Sequence, residues 1–248
     1  MTNSNISKVS SFSNEISCES PIKFPCPFQS NPHEIAKLAA QDLQASLLPS
    51  LNHNFGIYHV EDNIPIGKMF GVLVVNDVEG EIGYLSAFSG KLNGGNHYDG
   101  FVPPVYDGLQ EGGFLNKGMT ELSVIVRKVR AIQELKDPRK ESELKALIEQ
   151  RSEHSQALQR KLFECYYFLN NDKKSKSLLE IFSGKQPQGG SGECAAPKLL
   201  QYAFMNDLKP IAIAEFWWGS SNSQQKVHKE YYPACEEKCR PILGWMLS

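Results

Sequence analysis

The sequence lacks any apolar run long enough to cross a membrane, which takes about 18 to 20 apolar residues. Its longest apolar segments, residues 69–75 and 211–218, are only as long as a strand. The first residues, MTNSNISKVSSFSNEIS, contain no apolar stretch of the kind that a secretory signal needs. From these absences we expect a cytoplasmic protein without a membrane partner.

The sequence also lacks an excess of charge of either sign, with 26 lysines and arginines against 28 aspartates and glutamates. A net charge of −2 gives no general attraction to polyanions, so any nucleic-acid site has to be a local patch. We expect no DNA partner on this ground. Hydrophobic residues make up 41% of the 248 residues, which is enough for a sizeable core and excludes a wholly disordered chain.

Hydrophobic periodicity predicts an α/β fold, with a mixed sheet flanked by helices. Residues 69–75 and 82–90 predict a β-hairpin, and residues 211–218 predict a buried strand. Helical spacing is found at residues 195–206. The serine and asparagine content of residues 1–23 is typical of disorder. The predicted organisation is a disordered lead-in at 1–23, an α/β domain formed by 24–118 and 171–248, and an antiparallel helical hairpin inserted at 119–170.

Six cysteines are present, and three of them lie where helices are predicted to begin. Cys194 precedes one predicted helix, and Cys235 and Cys239 open another. Helix N-termini stabilise thiolates, and three thiolates suit a tetrahedral zinc site with an open fourth position. Because C-x3-C is less typical of metal sites than C-x2-C, three unrelated thiols remain the alternative. His228 is a weaker candidate for a fourth ligand.

Two groups of basic residues are candidates for RNA binding. One is a basic and aromatic cluster late in the chain, where rings are available to stack on unpaired bases. The other is the predicted helical hairpin, since residues 121–176 contain 13 basic and 9 acidic side chains. The alternatives are an ordinary surface loop, a solvated helix face and, for the tryptophan, a place in the core. The candidates are Lys226, Lys229, Tyr231, Tyr232 and Trp218 in the cluster, and Arg127, Lys128, Arg130, Arg139 and Lys140 on the hairpin.

The order of these features resembles the cytidine-deaminase-like fold: a hairpin, a cysteine at a helix start, a buried strand, and Pro-x-Cys-x3-Cys at a second helix start. The stretch GECAAPK, residues 192–198, is similar to the Cys-Ala-Glu-Pro variant of toxin-type deaminases. That resemblance implies a zinc-activated water and a glutamate, two residues after the cysteine, that transfers protons. Here this position holds Ala196, which cannot transfer a proton. Glu193 precedes the cysteine, and Glu215 replaces the missing group only if the fold brings it to the metal.

A more extensive resemblance covers nearly the whole chain. The stretches concerned are FPCPFQSNPHEIAKLAAQDLQ, GKMFGVLVVNDVEGEIGYLSAFSGKLNGG, FVPPVYD, CAAPKLLQYAF, AEFWWG and YYPACEEKCRPILGWML. They are similar to the N-terminal extension of long RluA-type pseudouridine synthases. In that family the extension precedes a catalytic domain with an aspartate in a His-Arg-Leu-Asp motif. This chain lacks that motif and ends about where the catalytic domain is expected to begin.

The resemblance implies an accessory module that binds or positions ribosomal or transfer RNA for a pseudouridine synthase domain, in the same chain or in another. We therefore expect the chain by itself to be catalytically inert. Two alternatives remain open: a zinc-dependent nucleobase deaminase with a displaced acid/base, and a structural protein-interaction domain. The deaminase hypothesis requires a carboxylate within reach of a metal-activated water, and the accessory-module hypothesis does not.

Overall fold

A computed structural model describes residues 8–47, 67–221 and 225–248. The described residues form two compact units, one drawn from Met1–Val105 and Tyr167–Ser248 and the other from Tyr106–Tyr166. Within these ranges, no helix is long and apolar enough to cross a membrane. In chain order the elements are α1 (Glu34–Leu47), β1 (Lys68–Asn76), β2 (Ile82–Phe88), α2 (Phe114–Leu135), a 3₁₀ turn (Pro138–Lys140), α3 (Glu141–Phe163), β3 (Tyr167–Leu169), β4 (Ser175–Ser177), α4 (Leu178–Ile181), α5 (Ala195–Met205), β5 (Lys209–Trp218), β6 (Tyr231–Tyr232) and α6 (Glu236–Met246).

The first unit is built on a four-stranded sheet with the strand order β2-β1-β5-β6. Leu73 of β1 pairs with Leu85 of β2 on one side and with Ile213 of β5 on the other, and both pairings are antiparallel. β6 also pairs antiparallel to β5. The predicted α/β fold with flanking helices is confirmed, but the sheet is antiparallel rather than mixed. Among the described residues, the parallel contact is one isolated bridge between Ser86 and Phe101.

Helices cover both faces of this sheet. Alternate residues of a strand point to opposite faces, and Phe70, Val72 and Phe216 pack with α1 in a buried hydrophobic core. Helix α5 packs against β1, β2 and β5. Gly71 permits its close approach, since a Cβ atom at this position would lie 2.9 Å from the Cβ atom of Ala195. The sheet therefore positions the N-terminus of α5.

Residues 8–18 contact the sheet, although the sequence predicts them as part of a disordered lead-in. The backbones of Ser10 and Tyr84 exchange two hydrogen bonds, of 2.8 and 2.9 Å, at the edge strand β2. The ring of Phe12 packs edge-on against that of Tyr84, with 5.3 Å between centroids. Ile16 packs against the core. The composition of the segment does not indicate this contact, because one backbone bridge and two apolar side chains are enough to form it and the other residues remain polar.

The second unit contains α2 and α3, which contact each other. Helix α2 begins at Phe114, ahead of the predicted boundary at residue 119. Gly118, a residue type that usually indicates a loop, lies inside α2 because Leu158 of α3 packs against it. A Cβ atom at Gly118 would lie 2.2 Å from Leu158 Cδ2. The missing side chain thus allows the two helices to approach closely.

Candidate metal centre

Three cysteine sulfurs meet in the first unit. Cys194 is the N-cap residue of α5, and Cys235 is the N-cap residue of α6. Cys239 is buried one turn further along α6. The ligand atoms of the three residues all lie within 4.8 Å of one another, and the sulfurs of Cys235 and Cys239 are 3.5 Å apart. The three side chains are therefore close enough to bind one metal ion.

The local sequence explains why the sulfurs converge. Residues at positions i and i+4 lie on one face of a helix, so the C-x3-C spacing brings the side chains of Cys235 and Cys239 to the same side of α6. Cys194 makes no side-chain hydrogen bond to its own helix. Two helix N-termini thus point at one small volume, and the positive ends of both helix dipoles favour thiolates there.

The three thiols do not ionise independently. Hydrogen bonding with Cys194 and Cys239 lowers the pKa of Cys235 to about 2, and the backbone N–H groups of Lys238 and Cys239 act in the same direction. The hydrogen bond with Cys235 raises the pKa of Cys194 to about 12, and hydrogen bonds with Cys194 and Cys235 raise the pKa of Cys239. Neighbouring thiolates repel one another, so the three sulfurs stay close together only when protons or a cation reduce their negative charge. The donor set therefore fits a divalent metal ion that accepts thiolates.

A buried carboxylate lies at the same helix N-terminus. Oε1 of Glu215, on β5, accepts a hydrogen bond from the backbone N–H of Ala196, at 3.2 Å. Ala196 is the second residue of α5, and an N-cap side chain normally accepts a hydrogen bond from this N–H or the next one. Glu215 thus replaces the capping side chain that residue 194 would otherwise supply. Its carboxylate lies beside the start of α5, and the Cys194 sulfur is not used in capping.

Burial raises the pKa of Glu215 to about 7, although the N–H of Ala196 acts against the rise. Only 8% of the Glu215 surface is exposed. A carboxyl group with a pKa near neutrality gains and loses protons readily at the pH of a cell, as general acid/base catalysis requires. The sequence contained one signal of this residue, since Glu215 is the single charged side chain within the apolar segment 211–218.

Cys194, Cys235 and Glu215 line one open cleft with a volume of about 670 Å³. This volume lies in the usual range of small-molecule sites. Side chains of both charges line the cleft, and Glu237 accepts a hydrogen bond from Gln188 Nε2 at 2.8 Å. Other cleft residues that bear on recognition are Lys68, Glu193, Trp217, Lys226 and Lys238.

The predicted basic and aromatic cluster forms only in part. Lys226 lines the cleft, and its Nζ lies 3.8 Å from the centroid of the Tyr232 ring. Lys229 Nζ lies 5.7 Å from the centroid of the Trp218 ring. Trp218 belongs to the hydrophobic core and is 1% exposed, so its ring is not available to stack on a base. Trp217, on the opposite face of β5, is the tryptophan that lines the cleft.

Tyr231 and His228 take part in other contacts. Tyr231 pairs with Phe216 in the sheet and packs against the core. Nδ1 of His228 accepts a hydrogen bond from the N–H of Gly219 at 3.0 Å, and its ring lies 4.4 Å from that of Trp218. In the described part of the chain, the group of possible metal ligands consists of the three cysteines and does not include His228.

The other basic candidates lie in the second unit. Arg127 and Arg130 are exposed on α2, and Arg139 forms an exposed ion pair with Asp137, with 2.8 Å between Nη2 and Oδ2. The two groups of candidates for RNA binding are thus carried by different units, and the group that includes Lys226 is the one at the cleft.

Comparisons with protein-family models, with characterised proteins and with solved structures give no match. The interpretation of the site therefore depends on its own geometry and chemistry.

Proposed function

We propose that this chain contains a metal-dependent hydrolytic site of the deaminase type, which removes an amino group from a nucleobase. The observation that carries the proposal is the carboxylate of Glu215 at the N-terminus of α5. The chain was expected to be inert because it lacks the His-Arg-Leu-Asp motif and has no acid/base at Ala196, and Glu215 supplies the second of these groups from β5. A carboxylate beside a three-cysteine centre is the feature that separates a deaminase from an accessory module.

The order of the elements also supports the proposal. A β1–β2 hairpin is followed by α5 with Cys194 at its start, by β5, and by α6 with Cys235 at its start. This is the order that the resemblance to the cytidine-deaminase-like fold implies. The insertion of α2 and α3 between β2 and α5 leaves the order unchanged.

Cys194, Cys235 and Cys239 would hold the metal ion, and we propose zinc because it favours thiolate ligands and keeps an open position in catalytic sites. The ion supplies the Lewis acidity that makes water nucleophilic near neutral pH. Glu215 would accept a proton from the attacking water and pass it to the leaving amino group, while the second water proton ends on the neighbouring ring nitrogen, so that ammonia leaves and a carbonyl group remains on the base. The ring of Trp217 and the ammonium of Lys226 line the space available to the base.

The test is a deamination assay with the zinc-loaded chain. Cytidine, adenosine and short single-stranded RNAs are incubated with the protein, and ammonia release and the mass change of the base are measured. We expect turnover with at least one substrate. Glu215→Gln should abolish turnover and retain the metal, because it removes the proton-transfer group and leaves the cysteines intact. Glu79→Gln, in the exposed turn between β1 and β2, is the matched control.

The absence of turnover with every substrate would contradict the proposal, as would equal turnover by the wild type and Glu215→Gln. In either case the second candidate function would gain support. That candidate is a non-catalytic module that positions RNA for an RluA-type pseudouridine synthase domain, in the same chain or in another. The observation in its favour is that Lys226, with Tyr232 beneath its ammonium group, lies at the edge of the cleft.

A further inference from the structure

A buried lysine lies on the helix that begins after Cys194 and is not used by the proposed reaction. Lys198 is the fourth residue of α5 and is 3% exposed. Its position, four residues after Cys194, places both side chains on the same face at the start of the helix. Its Nζ donates hydrogen bonds to the carbonyl oxygens of Phe88, at 2.9 Å, and Gly90, at 3.0 Å. The ammonium also lies 5.0 Å from the centroid of the Phe88 ring.

The acceptors of these two hydrogen bonds are neutral carbonyl groups. A buried ammonium is costly unless negative charge lies nearby, and burial accordingly lowers the pKa of Lys198 to about 8, while Glu193 and Cys194 favour its charged form. Three thiolates around a divalent cation carry a net charge of −1. Glu193 already supplies one negative charge that favours the protonated lysine, and the centre would add a second.

The same side chain connects the end of β2 to the loop that carries Cys194. Lys198 Nζ donates a hydrogen bond to the carbonyl oxygen of Gly90. The N–H of Gly90 in turn donates a hydrogen bond to the carbonyl oxygen of Glu193, at 2.8 Å. Glu193 directly precedes Cys194. Displacement of the ammonium would therefore loosen the segment that sets the position of the first sulfur.

We propose that Lys198 is the fixed counter-charge of the thiolate metal centre and positions the loop that carries Cys194. This inference rests on the proposed function only in requiring that the three cysteines bind a metal ion. It assigns Lys198 a role in metal affinity and no contact with substrate. Outer-sphere partners of this kind typically change metal affinity by about 10- to 100-fold.

The test compares Lys198→Gln with the wild type and with Lys209→Gln, an exposed control at the start of β5. Glutamine retains hydrogen-bond donors but removes the charge. We expect Lys198→Gln to bind zinc and cobalt(II) at least about tenfold more weakly, with the pH midpoint of cobalt binding shifted upward. Unchanged affinity and an unchanged midpoint in a folded Lys198→Gln protein would overturn the inference.

A measurement on the wild type covers the case in which the variant does not fold. The side-chain ammonium signal of Lys198, observed by ¹⁵N NMR, should move when zinc is added, and the Lys209 signal should not. A Lys198 signal that zinc leaves unchanged would also overturn the inference. If the wild type binds no metal at all, the proposed function itself fails, and the two failures are thus distinguishable.

Discussion

The first unit buries two charged side chains, Lys198 and Glu215, whereas the charged side chains of the second unit are exposed or half-buried. Strand β5 is buried over eight consecutive residues, and Glu215 is among them. Helix α3 has 23 residues, of which Phe163 is the buried one. The sequence of α3 is rich in lysine, arginine and glutamate, while β5 has a single acidic residue. Strand β5, which has fewer charged residues than α3, therefore carries the charged group with the clearer chemical role.

The difference follows from the dielectric environment of the charges. Ion pairs at the surface are screened by water and contribute little. A buried carboxyl or ammonium group interacts more strongly with its neighbours, so its protonation state depends on them. Glu215 and Lys198 have strongly shifted pKa values for this reason. We therefore expect function to depend more on the buried charges than on the exposed ones.

Loss of a cysteine from the cluster should have the largest effect. We expect the wild type to contain close to one zinc ion per chain and Cys235→Ser to contain almost none, because the two remaining thiolates, of Cys194 and Cys239, do not complete the site. Elemental analysis and the thiolate absorption of the cobalt-loaded protein measure this. Cys165→Ser, in the second unit, is the control, since Cys165 does not belong to the group of possible metal ligands among the described residues. Equal zinc contents in the two variants would remove the basis of the metal site.

The protonation of Glu215 should appear in the stability of the metal-free protein. Its pKa is about 7 in the folded chain against an ordinary value of 4.5. A raised folded-state pKa stabilises the fold fully below pH 4.5, and this contribution is lost as the pH rises through 7. Relative to Glu215→Gln, the wild type should therefore lose about 3 kcal/mol of unfolding free energy between pH 4.5 and 8. Urea unfolding at both pH values tests this, and a difference that does not vary with pH would refute the assignment.

The sequence predicted the cysteine centre, but it named Glu215 as the replacement for Ala196 only on the condition that the fold brings the carboxylate there. Helix-start positions and C-x3-C spacing are local properties, so Cys194, Cys235 and Cys239 were accessible to sequence reasoning. The contact between Glu215 and Ala196 depends on how β5 and α5 pack, which no local pattern specifies. The same limit applies to the tryptophan pair, because alternation predicts opposite faces for Trp217 and Trp218 but does not say which face is the core.

Much of the fold was also accessible, with errors where long-range contacts decide. The strands predicted at 69–75 and 82–90 correspond to β1 and β2. Strand β6 was missed because it has two residues and exists only by pairing with β5. The antiparallel direction of β5 relative to β1 was missed for a similar reason, since direction depends on how the chain between the strands is routed.

A methyl group at Gly71 should have an intermediate effect. Its Cβ atom would lie 2.9 Å from that of Ala195, so α5 or β1 has to shift. We expect Gly71→Ala to lower the free energy of unfolding by about 1–3 kcal/mol and to weaken zinc binding, because the shifted helix carries Cys194. Gly244→Ala, in α6, is the matched control, since a Cβ atom there meets nothing within 4 Å. It should leave stability unchanged or raise it by up to about 1 kcal/mol, and a similar loss in both variants would contradict the packing argument.

Exchange of the candidate RNA-binding cations should have the smallest effect, and it compares the two groups of basic residues directly. We expect weak RNA binding by the wild type, with a Kd on the order of 10⁻⁴–10⁻⁶ M. Lys226→Gln with Lys229→Gln should weaken binding several-fold and lower the salt slope by roughly 1.4, since two phosphate contacts are lost at about 0.7 each for a single strand. Arg127→Gln with Arg130→Gln removes the same charge from α2 and should change binding less, because the cleft residues belong to the first unit and these two arginines do not. Fluorescence anisotropy with a single-stranded RNA at two salt concentrations measures both pairs. A larger effect of the arginine pair would transfer the RNA site to the second unit, and absence of binding at low salt would end the RNA interpretation.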